Sequence, residues 1–138
     1  MLPHFIIIGA MNAGTTSLYH YLKTHPDIIS SSPKEPSFFV QDRFRKGLEW
    51  YKSIFKGAGR FAFEASANYS KRHLFPGVPK RMFKVVSEIK LIYLLRDPIE
   101  RAKSHYMWGC AHGLEDREFS SVIKDHNCNL IKTGQYYY

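Results

Sequence analysis

Phe5-Ile6-Ile7-Ile8-Gly9-Ala10-Met11-Asn12-Ala13-Gly14-Thr15-Thr16-Ser17 carries a strand signal, a glycine loop and a helix start in one short run. Three β-branched residues follow Phe5 and end at a glycine, which predicts a buried strand. Beyond the loop, Leu18, Tyr21 and Leu22 recur at helical spacing and predict a helix over 15–23. Such a turn suits an anion: glycine lets the backbone approach closely, and the first N–H groups of the helix point outward with the positive end of its dipole. The spacing G-x-x-x-x-G-T-T is a Walker A frame with Thr15 where lysine would stand. An ordinary strand-to-helix turn that uses glycine for compactness fits the same residues.

Outward from this stretch, strand and helix signals alternate. His25-Pro26 breaks the first helix, and a short strand follows at 28–31. Pro33-Lys34-Glu35-Pro36 leads into Phe38 and Phe39, whose need for burial predicts an ordered loop rather than a linker. Leu48, Tyr51, Ile54 and Phe55 predict a helix over 47–55, closed by Gly57 and Gly59. A strand over 60–64, a loop over 65–69 and a helix over 79–89 come next, the helix with Pro79 in its first turn. The apolar run 90–95 reads as a parallel strand covered on both faces. Asp97-Pro98-Ile99-Glu100 then starts a helix to about residue 108, with Asp97 as cap, Pro98 at its first position and Glu100 completing a capping box. A last helix is expected over 119–124.

This alternation predicts an α/β fold, a P-loop-like and mostly parallel sheet flanked by helices. Ligands of such sheets sit beyond the carboxyl ends of the strands, which is where the loop 12–16, the loop 64–68 and Arg96 fall. With 138 residues, 44% of them hydrophobic, the chain has material for one core, and a single domain over 1–138 is expected. A net charge of +8 favours an anionic partner without choosing among nucleotide, sulfated sugar, nucleic acid and acidic membrane. No apolar run is long enough to predict a membrane span, and no leader pattern precedes the first strand, so the expected compartment is the cytoplasm. The sequon Asn68-Tyr69-Ser70 would count only in a secretory setting. Gly134-Gln135-Tyr136 reads as an element cut in progress, so the chain is expected to be an amino-terminal fragment. Cys110 and Cys128 are too few for a disulfide scaffold, and with His112 and His126 they lack the spacing of common zinc sites, so no metal is assigned.

Several of these stretches together resemble the PAPS-dependent sulfotransferases, particularly the heparan sulfate sulfotransferase branch and its bacterial relatives. Gly-Ala-Met-Asn-Ala-Gly-Thr-Thr-Ser-Leu from Gly9, Lys-Glu-Pro-Ser-Phe-Phe from Lys34, Gly-Leu-Glu-Trp-Tyr from Gly47 and Leu-Arg-Asp-Pro-Ile-Glu-Arg-Ala-Lys-Ser-His-Tyr from Leu95 carry the likeness, in order, over nearly the whole chain. The resemblance implies transfer of a sulfuryl group from 3′-phosphoadenosine 5′-phosphosulfate (PAPS) to a hydroxyl or amine of a carbohydrate or similar acceptor, with 3′-phosphoadenosine 5′-phosphate (PAP) as product. It implies that Asn12, Ala13, Gly14, Thr15, Thr16 and Ser17 hold the 5′-phosphosulfate, that Arg96 and Ser104 hold the 3′-phosphate, and that Glu35 is the base. Lys34 is expected to touch an anionic acceptor, and Glu64 and Ser66 to contact acceptor or support the loop. No nucleic-acid partner is implied, and the oligomeric state is left open.

One departure stands out. The family ordinarily has lysine at the position of Asn12, where it stabilises the leaving phosphate. Asparagine keeps a donor without the charge, a loss worth on the order of 3 kcal/mol in a transition state. Lys34 could replace that charge; alternatively, the chain is a non-catalytic PAPS- or PAP-binding module, or the residue was changed to trap a complex. A P-loop kinase is disfavoured by Thr15.

Overall fold

A computed structural model of the chain describes residues 1–128. The described residues fall into two compact units, one over Met1–Leu94 and the other beginning at Leu95. The first contains four parallel strands, β1 (Phe5–Gly9), β2 (Ile28–Ser30), β3 (Phe61–Ala65) and β4 (Lys90–Tyr93), in the order β2-β3-β1-β4. Its helices are α1 (Thr15–Lys23), α2 (Gln41–Phe44), α3 (Gly47–Ser53) and α4 (Val78–Val85), with a 3-10 turn over Ala67–Ser70. The expected α/β architecture is therefore present.

β1 is central because its apolar run is long enough to pair on both edges and to bury both faces. Ile6 and Ile7 are fully buried and point to opposite sides of the pleat. Ile6 joins Phe38, Phe39, Tyr51, Ala62 and Met82 in one core, and Ile7 joins Tyr19, Phe63 and Ala65 in the other. Phe38 and Phe39 are buried as their loop required. Since all the strands run the same way, the loops after β1, β2 and β3 emerge at one edge of the sheet.

Several boundaries differ from expectation for local reasons. α2 precedes α3, which stops at Ser53 so that Phe55 can reach a bridge to Ser31. α4 ends at Val85, where Val86 leaves helical geometry with φ −140° and ψ 64°. Pairing with β1 continues past β4 through Leu94, whose N–H donates to Gly9 O and whose carbonyl accepts from Ala10 N. Leu91 is half exposed, so the apolar sequence of β4 does not bring full cover on both faces.

In the second unit, α5 (Pro98–Ala111) and α6 (Phe119–Val122) match the expected starts. Asp97 accepts from Ile99 N and Glu100 N at 3.0 Å each. Glu100 does not complete the box; its carboxylate pairs with Lys103 at 2.9 Å, one turn along the exposed face. Arg117 binds Glu115 at 2.8 Å and Asp125 at 3.0 Å, tying together the chain on either side of α6. The element expected at Gly134 lies outside the described residues.

Candidate active site

The loop between β1 and α1 is shaped by three backbone positions. Gly9 adopts φ 146°, and a Cβ there would come within 2.5 Å of Ser70 Oγ, so the first glycine serves close approach as well as turning. Asn12 sits at φ 63° and Gly14 at φ 94°, both left-handed. Asparagine is among the few non-glycine residues that visit this region readily, which gives Asn12 a local structural reason. Ala13 N donates to Ala10 O at 3.2 Å and closes the turn. Gly14 caps α1 and has no side chain to fold back over the first-turn N–H groups, and a Cβ built there would meet open space. These are the features an anion needs: outward N–H donors, a helix dipole and room.

The loop after β2 comes to the same place. The carbonyl of Lys34 accepts from Ser31 Oγ at 3.2 Å and from Ala65 N at 3.4 Å, fixing its main chain to the ends of β2 and β3. Its ammonium donates to Thr16 Oγ1 at 2.9 Å and to Glu35 Oε1 at 2.8 Å. Lys34 and Glu35 thus form an ion pair, one docked on the second residue of α1 and not standing alone in solvent. Glu35 keeps 41% of its side chain exposed, as an acid facing an incoming molecule requires.

Beneath this loop lies a carboxylate of another kind. Glu64, in β3, is fully buried on the face that holds Phe38 and Tyr51. It accepts from Tyr51 Oη at 2.5 Å, Ser66 Oγ at 2.6 Å and Tyr69 Oη at 2.9 Å. Ser66 Oγ in turn accepts from Ser37 N at 3.0 Å, and Tyr69 Oη from Phe39 N at 3.3 Å, so both hydroxyls are committed to giving their protons to Glu64. Tyr51 stacks on Phe38 with ring centroids 4.1 Å apart. Burial pushes the Glu64 carboxyl up to about 7; the three hydroxyl donors oppose the rise and the charge of Glu35 adds to it. Burial and the neighbouring Glu64 hold the Tyr51 hydroxyl well above its ordinary range, so it stays a donor.

Of the two roles open to Glu64 and Ser66, loop support is the one the burial allows. The tyrosine partners escaped sequence reading because Tyr51 also fits the apolar face of a helix. On the same edge Lys71 donates to Asn68 Oδ1 at 3.0 Å; partial burial lowers its ammonium pKa, against the charge of Glu35. Arg96 and Ser104 belong to the second unit, Arg96 beside the Asp97 cap and Ser104 within α5.

Parallel strands, a left-handed glycine loop and an open helix amino end define an α/β protein of P-loop type with an anion-receptive turn. More narrowly, residues 2–137 match the sulfotransferase domain, and the chain belongs to that family. It is 39% identical over 144 residues to the bifunctional heparan sulfate N-deacetylase/N-sulfotransferase 4 of Mus musculus, covering 98% of this chain and 16% of that protein. It is 39% identical over 110 residues to the membrane-associated sulfotransferase kil1 of Dictyostelium discoideum, covering 76% of this chain and 22% of the relative. The crystal structure of a sulfotransferase from Alicyclobacillus acidocaldarius superposes with a TM-score of 0.81 at 26% identity, covering 99% of this chain and 65% of that one. The chain thus spans a minor part of those curated relatives and about two thirds of the solved neighbour.

Proposed function

We propose that the chain forms the donor-binding part of a sulfotransferase that moves the sulfuryl group of PAPS to a hydroxyl or amine of a carbohydrate or similar acceptor. One observation carries this reading beyond family membership: the row Thr16, Lys34, Glu35, with successive contacts of 2.9 and 2.8 Å, links an exposed carboxylate to the start of the helix behind the glycine loop. A base for the acceptor and a cradle for the donor are thereby brought to one edge of the sheet. The names of relatives that act as heparan sulfate N-sulfotransferases favour a carbohydrate amine, and the +8 charge suits an anionic sugar.

In this reading the first-turn N–H groups after Gly14, with Thr15, Thr16 and Ser17, hold the 5′-phosphosulfate, aided by the turn residues Asn12 and Ala13. Arg96 and Ser104 hold the 3′-phosphate; that assignment rests on the sequence resemblance. The acceptor oxygen or nitrogen attacks sulfur, its proton passes to Glu35, and the bond from sulfur to the bridging oxygen breaks. The electron pair leaves with PAP.

The deciding measurement is a titration with PAP and with adenosine 5′-phosphate, which lacks the 3′-phosphate. PAP should bind more tightly, and Arg96→Ala should erase the preference. Equal affinities for the unsubstituted chain would sink the donor assignment. Asn12 supports a second reading, a binding module without turnover. That module predicts no sulfated product even when Asn12→Lys is introduced in the full-length protein.

A further inference from the structure

We infer that Lys34 is the cation of the phosphate loop, donating to the donor's transferring sulfuryl group and then to the leaving oxygen. This rests on the donor assignment above and, of the two roles the sequence left open to Lys34, takes replacement of the charge missing at Asn12 over contact with the acceptor. Between Gly9 and Ser17 no residue carries a positive side chain, and the helix dipole offers only a fraction of a charge. Breaking the bond from sulfur to the bridging oxygen puts a further charge on the 5′-phosphate, which needs a full cation nearby.

Lys34 meets the geometric requirement. Its ammonium sits 2.9 Å from Thr16 Oγ1, on the second residue of α1, where an anion held by the first-turn N–H groups would lie. Its side chain keeps only 23% of its surface exposed, so the charge is less screened than a free surface lysine's. An ammonium has three N–H donors, and the bonds to Thr16 and Glu35 use two, leaving one for a ligand oxygen. The carbonyl bonds to Ser31 and Ala65 fix the root of the side chain, so little conformational freedom is lost when the ligand arrives. Lys71, a cation that the charge of Glu35 also reaches, is engaged with Asn68 and makes a natural control.

Chemically, the lysine keeps its proton throughout. The acceptor's proton goes to Glu35, the sulfur changes partners, and the Lys34 N–H shortens its bond to the bridging oxygen as that oxygen takes the electron pair. Thr16, Lys34 and Glu35 then form one row from leaving group to base.

The test is calorimetric titration of PAP into the unsubstituted chain and into Lys34→Met, Lys34→Arg, Lys71→Met and the double variant Asn12→Lys/Lys34→Met, with thermal melts of each. Lys34→Met should weaken PAP by about tenfold or more, the scale of a lost charge-assisted bond. Lys34→Arg should keep most of the affinity, Lys71→Met nearly all of it, and Asn12→Lys should restore most of what Lys34→Met loses, since it returns a cation to the same loop by another route. Unchanged PAP affinity in Lys34→Met overturns the inference while leaving the donor assignment intact. A loss that Asn12→Lys does not repair, in a double variant that melts with Lys34→Met despite the left-handed backbone at position 12, overturns it as well. If Lys34→Met melts early, the decision passes to Lys34→Arg: a large loss there with a normal melt rejects a charge role, and retention supports it. An unsubstituted chain that does not distinguish PAP from adenosine 5′-phosphate fails at the donor assignment instead.

Discussion

Glu35 and Glu64 stand at the same edge of one sheet in opposite surroundings. Glu35 is substantially exposed, salt-bridged to Lys34 and free to meet another molecule on its outer side. Glu64 has no exposed surface and accepts hydrogen bonds from three hydroxyls. The first arrangement suits exchange of a proton with a bound acceptor; the second cannot reach one. Yet two hydroxyls held by Glu64 receive the N–H groups of Ser37 and Phe39, in the loop that begins with Lys34 and Glu35. The buried acid therefore positions the loop that carries the exposed one. Neighbouring carboxylates can divide the work of a site, one for chemistry and one for the shape that chemistry needs.

The comparison breaks most sharply on Glu35→Gln. Removing the proposed base should lower sulfuryl transfer by about 10²- to 10⁴-fold, or about 2.7–5.4 kcal/mol in barrier, with PAP affinity and melting temperature nearly unchanged. Single-turnover sulfation with radiolabelled donor measures the first, calorimetry the second. A rate within a few-fold of the unsubstituted protein would move the base elsewhere.

Glu64 should instead declare itself in stability against pH. Its carboxyl titrates at about 7 in the fold, above its ordinary value of 4.5, so between those values the folded state holds a proton that the unfolded chain has lost. Stability from this group is thus fully present below about 4.5, falls as pH rises to about 7 and is level beyond, a change on the order of 3 kcal/mol. Urea melts of the unsubstituted chain and Glu64→Gln across this window isolate the effect: the variant should lack that slope. Parallel curves for the two proteins would mean that Glu64 is already ionised throughout.

The contrast also separates what sequence conveys from what it withholds. Gly9, Asn12 and Gly14 announce their loop because the conformations they adopt are ones few other residues tolerate, and the element on each side is marked by its own periodicity. Likewise Asp97 and Pro98 mark the start of α5 within four residues, although the Glu100 half of the expected box was lost to a competing pair with Lys103. The network around Glu64 gives no such local sign. Tyr51, thirteen residues before it, is a core residue by pattern, and the bonds from Ser37 N to Ser66 and Phe39 N to Tyr69 span 29 and 30 residues. Lys34 reaching Thr16 across 18 residues is of the same kind: the two types could be proposed as partners, but only the sheet order brings them together.

Smaller changes sharpen each side. Gly14→Ala forces a side chain into φ 94° and should cost about 1–2 kcal/mol, with weaker PAP binding because the methyl enters the open space over α1. A chain with full stability and unaltered affinity would show that this turn is an ordinary connection.

Tyr51→Phe should have the smallest effect where Glu64 is protonated, and its pH dependence carries the information. The ring can keep its stack on Phe38, 4.1 Å away and nearly parallel at 7°, so the change removes little but the hydroxyl that donates to Glu64. Loss of one donor to a buried carboxylate costs about 1.5–3 kcal/mol where Glu64 is ionised, and about 1 kcal/mol where it is protonated. The deficit in urea melts should therefore be larger at about pH 8 than at about pH 5, and the carboxyl should titrate higher than in the unsubstituted chain. Equal deficits at both ends would mean that the Tyr51 hydroxyl serves packing alone, and that Ser66 and Tyr69 by themselves hold the charge beneath the loop that carries Glu35.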